Sequence, residues 1–138
     1  MSEEKEKNIG YAPQEDVDAF MVQAKQAIRY EIPANVESAF DEDQTRLYMD
    51  LITEEYQETR DAFKEKDIVA LADGLADTVW VIMGMCSTLG IDFYKVWEEV
   101  YSSNVSKFTD GQLVKDENGK VQKPEGYKPP DIKSALGL

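Results

Sequence analysis

The sequence predicts an all-α fold: a four-to-five-helix antiparallel bundle followed by a small C-terminal β-hairpin and an extended tail. Three observations lead to this prediction. Apolar residues recur at spacings of three and four along much of residues 13–101, as they do in amphipathic helices. Residues 112–123 contain two short β-prone pieces around an Asn-Gly pair, which is a strong hairpin signal. Three prolines follow, and they favour an extended tail over a further long helix.

The first helix is predicted to run from Pro13 to about Tyr30. Pro33 and the polar stretch after it end the helical pattern, because a proline inside a helix removes a backbone donor. The apolar residues of this segment follow the spacing of a single helix face, which we expect to cover one side of the core. They are Val17, Phe20, Met21, Ala24 and Ile28.

The second and third helices are predicted to form an antiparallel pair. The second covers residues 43–64, with Asp41 or Asp43 as its N-cap. The third covers residues 68–89 and stops at Gly90, a residue type that favours helix ends. The connection between the two helices is too short for any arrangement other than an antiparallel one.

A fourth helix is predicted to begin after the N-cap Asp92 and to end in the segment SSNVSK. One of its faces is apolar, and we expect Trp97 on that face to lie in the core, as we do for Trp80 of the third helix. The apolar face consists of Phe93, Val96, Trp97, Val100 and Tyr101.

The predicted domain organisation has three parts. Residues 1–12 are rich in Glu and Lys and are expected to be flexible. Residues 13–108 form the helical domain that carries the candidate site. Residues 109–138 form the hairpin and the proline-rich tail, which pack on the same domain or on a neighbouring subunit.

Charge and residue types exclude several functional classes. The 138 residues include 15 Lys plus Arg and 28 Asp plus Glu, so the net charge is −13. This charge argues against nucleic acid or an anionic membrane as a partner, and a phosphate ligand would need intervening metal ions. There is no histidine, which excludes Ser-His-Asp and Cys-His catalysis and histidine-containing metal sites.

Compartment is inferred from cysteine use and from apolar segments. The single cysteine, Cys86, lies in an apolar run and cannot form an internal disulfide, so a reducing, cytoplasmic location is expected. The charged N-terminus lacks the apolar segment of a secretory signal. The apolar run 78–89 is shorter than the roughly 20 residues that cross a bilayer, so we expect a buried helix and no membrane partner.

Three carboxylates of the second helix share a side with its leucines. Projected on a helix, Glu54, Glu55 and Glu58 fall within an arc of about 100° together with Leu47 and Leu51. We therefore expect these acids to be half-buried. Like charges in such a place need a counter-charge, and the nearby sequence offers few basic residues.

The third helix supplies two further acids to the same region. Asp73 and Asp77 lie one turn apart and are the only acids in a nearly apolar helix. In an antiparallel pair of helices, Glu58 and Asp73 lie at a similar height. The two helices are therefore predicted to build an oxygen-rich cluster that suits Mg²⁺ or Mn²⁺.

These residues resemble a known family signature. The segment Glu54-Glu55-Tyr56-Gln57-Glu58, followed by the acidic helix that includes Ala76-Asp77, resembles the Glu-Glu-x-x-Glu…Glu-x-x-Asp signature of MazG-like all-α nucleoside triphosphate pyrophosphohydrolases. The resemblance spans roughly residues 15–108. The tail segments SNVSKF, DGQLVKDENGKVQKP and YKPPD further resemble the Cof-like, phage-type branch of that superfamily.

The resemblance implies roles for the acids. Glu55, Glu58 and Asp77 become metal ligands, and Glu54 takes a structural, supporting or water-activating role. The second motif departs from the signature, because Gly74 stands where the family has Glu. Asp73 beside it keeps two carboxylates on one helix face and is expected to act as the fourth ligand.

The implied function is metal-dependent hydrolysis of a nucleoside or deoxynucleoside triphosphate to the monophosphate and pyrophosphate. Two to three Mg²⁺ or Mn²⁺ ions per site would bridge carboxylates and phosphates. A purine deoxynucleotide such as dGTP is favoured, because phage-type branches serve DNA precursor pools. Two alternatives remain: a phosphoribosyl-ATP-type pyrophosphohydrolase, and a non-catalytic helical module that binds a metal or a partner.

Substrate contacts and assembly complete the set of expectations. Asn104 and Lys107 follow the fourth helix in a region that contributes to nucleotide binding in the family, although a helix cap and a surface lysine would look the same. Lys115 and Lys120 of the hairpin are further candidates. The third helix is apolar nearly all round, which indicates a homo-oligomer, either a dimer or a tetramer.

Overall fold

The structure, a computed structural model, describes residues 13–138. Within them lie six helices and one two-stranded antiparallel sheet, so the predicted all-α fold with a small C-terminal hairpin is confirmed. The elements are α1 Pro13–Gln23, α2 Val36–Phe40, α3 Asp43–Glu65, α4 Ile68–Leu89, α5 Phe93–Val105, β1 Phe108–Thr109, β2 Gln112–Leu113 and α6 Ile132–Ala135.

The chain divides into two compact units. The first unit ends at Ile91, and the second unit runs from Asp92 to Leu138. The segment 1–12, predicted to be flexible, lies outside the described residues. The predicted domain boundary after residue 108 stays a prediction.

The first unit is built on the pair of helices α3 and α4. The connection is tight because Lys66 adopts a left-handed conformation (φ 56°) that ends α3. Asp67 then caps α4, since its carboxylate accepts hydrogen bonds from the backbone N–H groups of Val69 and Ala70 at 3.1 and 3.0 Å. The predicted antiparallel pair and its turn are thus present.

Gly84 lets an aromatic ring of α3 lie against the backbone of α4. The ring of Tyr48 is buried, and its hydroxyl donates a hydrogen bond to Oε1 of Gln26 at 2.8 Å. A Cβ added at Gly84 would lie 2.1 Å from Cε1 of Tyr48, which no real contact allows. Glycine at this position is therefore required by packing.

The first helix is shorter than predicted. It ends at Gln23, and Lys25 takes a left-handed conformation (φ 55°) that turns the chain away. Val17 and Met21 of the predicted face are buried, but Phe20 and Ala24 are exposed and Ile28 lies beyond the helix. The segment after α1 is instead held by contacts to the end of α4.

Arg29 makes these contacts. Its backbone N–H donates to the carbonyl oxygen of Ser87 at 2.8 Å, and its guanidinium donates to both carboxylate oxygens of Glu42 at 2.6 and 2.7 Å. Glu42 occupies the N-cap position of α3, and its side chain makes no capping hydrogen bond. The predicted N-cap, Asp41 or Asp43, is therefore wrong: α3 begins where Glu42 binds Arg29.

Helix α4 is largely exposed over its first half, whereas most of the run 78–89, predicted to be a buried helix, is buried. It has 22 residues and, among the described residues, is the one helix long and apolar enough to cross a membrane, a test that core helices also pass. Its most apolar window is only 22% buried. Trp80 and Trp97, predicted to be core residues, are 39% and 56% exposed. Cys86 is buried, as predicted.

In the second unit the hairpin lies before the predicted turn. Strands β1 and β2 flank Asp110 and Gly111, which both have positive φ (50° and 75°), as a two-residue hairpin turn requires. The Asn-Gly pair at 118–119 instead closes a loop around the carboxylate of Asp116, which accepts from the backbone N–H groups of Asn118 and Lys120. One bridge, Lys115 to Val121, is all the pairing that forms around this loop within the described residues.

We predict that Gly84→Ala lowers the free energy of unfolding by about 1–3 kcal/mol, because the ring of Tyr48 must move out of its buried place. At an exposed helix position the same change would stabilise the chain by about 0.5–1 kcal/mol. Denaturant unfolding followed by circular dichroism measures the difference. Gly126→Ala is the control, since nothing lies within 4 Å of a Cβ built there. Equal stability of wild type and Gly84→Ala would contradict the close packing.

Candidate functional site

Glu55 is the centre of the acidic cluster. Glu55 as a whole is half-buried, and its Oε2 atom is buried without a hydrogen-bond partner among the described residues. A buried carboxylate oxygen that accepts nothing is costly, and an ion is one way to satisfy it. Glu54 and Glu58 are exposed, so the prediction that all three acids are half-buried holds for Glu55 alone.

The surroundings of Glu55 raise the pKa of its carboxyl group. Burial is the largest cause, followed by the negative charges of Glu58 and then of Asp77. The negative charge of Glu54 raises this pKa further. The structure thus brings acids of α3 and α4 close enough to repel one another, as the sequence predicted.

Asp73 is placed differently from the other four acids. It is exposed, and its charge is not among those that raise the pKa of Glu55. Across residues 13–138, moreover, no three side chains of Asp, Glu or Cys are gathered as a ready metal-binding group. The acids are neighbours in this structure and not yet a closed set of ligands.

The helices touch where the family signature would place a glutamate. A Cβ added at the buried Gly74 would lie 2.6 Å from Oγ1 of Thr59 and 3.2 Å from its Cα. Thr59 Oγ1 donates to the carbonyl oxygen of Glu55 at 2.7 Å, and Thr78 Oγ1 donates to that of Gly74 at 2.7 Å. The two hydroxyl oxygens are 3.4 Å apart. A longer side chain at position 74 does not fit between these helices.

Thr59 and Thr78 were not singled out by sequence reasoning. Thr59 lies four residues after Glu55, and Thr78 lies four residues after Gly74. A small residue on one helix that faces a hydroxyl on another marks a close helix crossing. That pattern, read together with the missing glutamate, was the available signal.

The donor set fits a hard divalent cation. Carboxylate oxygens are the ligands that Mg²⁺ and Mn²⁺ prefer, and one such oxygen on Glu55 is buried without a partner. Glu58 and Asp77 are the acids whose charges act most strongly on it. Glu55, Glu58 and Asp77 are therefore the residues that would hold an ion if they came closer together, since they form no ready metal-binding group in the described part of the chain.

The candidate substrate residues all lie in the second unit. Lys107 is half-buried, and its Nζ donates to Oδ1 of Asn104 at 2.8 Å. Asn104 lies in the last turn of α5 and not past its end as predicted, and its Nδ2 donates to the carbonyl oxygen of Val100 at 3.0 Å. Lys115 and Lys120 are exposed near the loop around Asp116. Asn104 and Lys107 thus contact each other, whereas Lys115 and Lys120 are separate lysines on the surface.

A family model described as phosphoribosyl-ATP pyrophosphohydrolase matches residues 22–104, which is more than half of the chain. The chain belongs to this family. The matched range contains α3, α4 and every acid of the cluster. No curated protein sequence matches the chain.

Membership of the phosphoribosyl-ATP pyrophosphohydrolase family places the chain in the MazG-like all-α superfamily, as the signature predicted. The chain is therefore a hydrolase that acts on a phosphoric anhydride bond of a nucleotide. The acidic helix pair α3–α4 is the part of this family domain on which the structure concentrates carboxylates.

We predict that Glu55→Gln raises the melting temperature at pH 7 in the presence of EDTA. The raised pKa means that the native state binds this proton more tightly than the unfolded chain, so ionisation of Glu55 costs stability as pH rises. The cost is fully present above the native pKa and absent below the ordinary value of 4.5. The gain should therefore disappear near pH 4 in thermal unfolding scans.

Asp50→Asn is the matched control, because Asp50 is an exposed acid of the same helix. Its melting temperature should change less at pH 7 than that of Glu55→Gln. An unchanged or lowered melting temperature for Glu55→Gln at pH 7 would show that Glu55 is not strained by its neighbours.

Proposed function

We propose that the chain hydrolyses a nucleoside or deoxynucleoside triphosphate to the monophosphate and pyrophosphate, with Mg²⁺ or Mn²⁺ as cofactor. The observation that carries the proposal is the unpartnered, buried oxygen of Glu55 beside Glu58 and Asp77. Carboxylates that repel one another are stabilised when a bound cation offsets their negative charge. Such a cation is also what an acidic chain needs to bind a triphosphate.

In this proposal Glu55, Glu58 and Asp77 would hold two to three ions, and Asp73 would serve as a fourth ligand from the exposed side of α4. When bound, the ions supply a Lewis acid that offsets phosphate charge and activates water. Glu54 is exposed next to this group, where its carboxylate can accept a proton from the attacking water. Thr59 and Thr78 keep the two helices in contact, and so fix the distance between the acids of α3 and α4.

The positions of Glu54 and Glu58 support a site that closes on its ligand. Both side chains are exposed and therefore have room to change rotamer, whereas Glu55 is fixed by partial burial. Rotamer changes that bring Glu58 and Asp77 closer to Glu55 would turn these neighbouring acids into a ligand set. Catalytic groups are often loosely arranged before the ligand binds.

Two substrates are compatible with this chemistry. A purine deoxynucleotide such as dGTP is the substrate we propose, on the likeness of the tail segments to the Cof-like, phage-type branch. Phosphoribosyl-ATP is the second candidate, because the matching family model carries that name. In either case we propose that Asn104, Lys107, Lys115 and Lys120 contact substrate, since lysine is a common phosphate ligand.

Assembly and location are part of the proposal. Val69, Leu75 and Val79 of α4 are exposed apolar residues, and Val69 is 77% exposed. A second copy of the chain, in a dimer or in a tetramer of two dimers, would cover this surface better than a bilayer would, because Asp73 and Asp77 lie on the same helix. We propose a cytoplasmic protein without a nucleic-acid or membrane partner.

We predict that Glu58→Gln removes metal-dependent pyrophosphate release, because the substitution deletes a negative charge from the ligand set while leaving an exposed side chain of equal size. Loss should be about 100-fold or more, as for other groups that hold a catalytic metal or its water. The assay measures pyrophosphate from each of the ribo- and deoxynucleoside triphosphates and from phosphoribosyl-ATP, with Mg²⁺, Mn²⁺ or EDTA.

Asp50→Asn again serves as the control and should retain wild-type turnover. Thermal unfolding separates metal binding from chemistry: ions at 100 times their Kd should stabilise the wild type by about 2.7 kcal/mol and Glu58→Gln by less. Full activity of Glu58→Gln would refute the ligand assignment. If pyrophosphate is released from phosphoribosyl-ATP and from no other nucleotide, phosphoribosyl-ATP and not dGTP is the substrate.

We predict a molar mass of at least two chains in solution. Size exclusion with light scattering at low micromolar concentration should give about twice or four times the 15.7 kDa of one chain. Val69→Lys, which puts a charge on the exposed face of α4, should shift the population towards the monomer. A mass of 15.7 kDa for the wild type would rule out the oligomer.

A further inference from the structure

The second unit contains a cavity between the end of α5 and the hairpin. Its volume is about 270 Å³, and its walls include Tyr101, Phe108, Leu113 and Val121. The hairpin forms it by folding back at Asp110 and Gly111, so that Phe108 of β1 pairs with Leu113 of β2. The walls are thus set by a defined backbone turn.

The cavity joins two exposed aromatic rings to a fixed positive charge. Tyr101 and Phe108 are 63% and 50% exposed. Lys107 and Asn104 also line the cavity, and the hydrogen bond between them holds the ammonium group at its wall. Lys107 forms no ion pair with another residue in the range 13–138, so its charge is available to a ligand.

The net charge of the second unit is low enough for an anionic ligand to bind near Lys107. Residues 92–138 carry seven lysines and eight acidic residues, whereas residues 1–91 carry eight basic and 20 acidic residues. The strong negative charge of the chain therefore lies almost wholly outside the second unit. An anionic ligand meets the least repulsion on this part of the sequence.

The ligand that this combination recognises has a flat apolar ring and an anionic group beside it, as a nucleotide has. Stacking of a base on an aromatic side chain contributes about 1–3 kcal/mol and tolerates any base. Pockets for whole drug-sized ligands have volumes of about 300–1,000 Å³, so a cavity of about 270 Å³ fits one base and leaves the phosphates outside, next to Lys107. A nucleic-acid strand does not fit a chain of net charge −13.

We propose that this cavity binds the base of the nucleotide against Tyr101 and Phe108, while the ammonium group of Lys107 contacts its phosphate. The proposal rests on the proposed function in one respect, that the ligand is the nucleotide the enzyme hydrolyses. It adds to Lys107 and Asn104 a base-binding site made of aromatic and apolar residues of α5 and the hairpin.

The test measures binding of dGMP to the full-length protein by calorimetry in EDTA, so that neither metal nor hydrolysis contributes. Phe108→Ala and Phe108→Leu should each weaken binding, the alanine variant about tenfold, which corresponds to about 1.4 kcal/mol of lost stacking. Lys107→Gln should weaken it about two- to fivefold and reduce its salt dependence. Deoxyribose 5-phosphate, which lacks the base, should bind more weakly than dGMP.

Matched controls come from the same chain. Phe40→Ala removes an exposed aromatic ring of α2, and Lys133→Gln removes a lysine of α6. Both should bind dGMP like the wild type, because neither residue lines the cavity. Melting temperatures of all variants show that a loss of binding is not a loss of fold.

Three results would overturn the base-binding site: no binding of dGMP to the wild type at millimolar concentration, unchanged affinity in both Phe108 variants, or equal binding of deoxyribose 5-phosphate. A lower molar mass of Phe108→Ala with unchanged dGMP affinity would also overturn it, by assigning the cavity to a second copy of the chain. If the wild type hydrolyses nucleotides and the cavity variants bind dGMP with unchanged affinity, the base-binding site is wrong and the proposed function stands. If the cavity variants bind dGMP more weakly and the wild type hydrolyses no nucleotide, the base-binding site stands and the proposed function is wrong.

Discussion

The structure depends on how closely α3 and α4 approach each other. Two glycines of α4 make the approach possible: Gly84 lies under the ring of Tyr48, and Gly74 lies against Thr59. Each removes a side chain from the interface, so backbone and side chain touch directly. The acids on the adjoining turns then lie near one another whether or not an ion is bound. The electrostatic strain at Glu55 is a consequence of helix packing.

The sequence predicts the regular parts of this fold well, because short-range signals define them. The tight turn at Lys66 and Asp67, the stop at Gly90 and the cap at Asp92 all depend on nearby residues. Long-range contacts produced the errors. The side chain of Glu42, at the N-cap position of α3, binds Arg29 instead of capping the helix. Arg29 lies 13 positions earlier, and no local sequence pattern indicates this contact. The short helices α2 and α6 are likewise too short for a periodic signal.

The candidate site shows the same division. The periodicity of α3 and α4 correctly places Glu55, Glu58 and Asp77 near one another. It overestimates the burial of Glu54 and Glu58, since a helical wheel shows direction and not the distance to the next helix. The same limit applies to Trp80 and Trp97, which were expected to lie in the core and are partly exposed. The cavity beside Phe108 has no sequence pattern, because its walls meet only after the hairpin folds back.

Gly74 also limits which substitutions this helix pair tolerates. A glutamate at position 74, as in the family signature, would place its Cβ 2.6 Å from Oγ1 and 3.2 Å from Cα of Thr59, so the substitution would cost fold stability. A smaller residue at position 59 alone would not suffice, since the Cα of Thr59 is also close. The signature glutamate could therefore be accommodated at position 74 only if the two helices moved apart. Helix packing, and not the chemistry of the site, excludes that ligand from this chain.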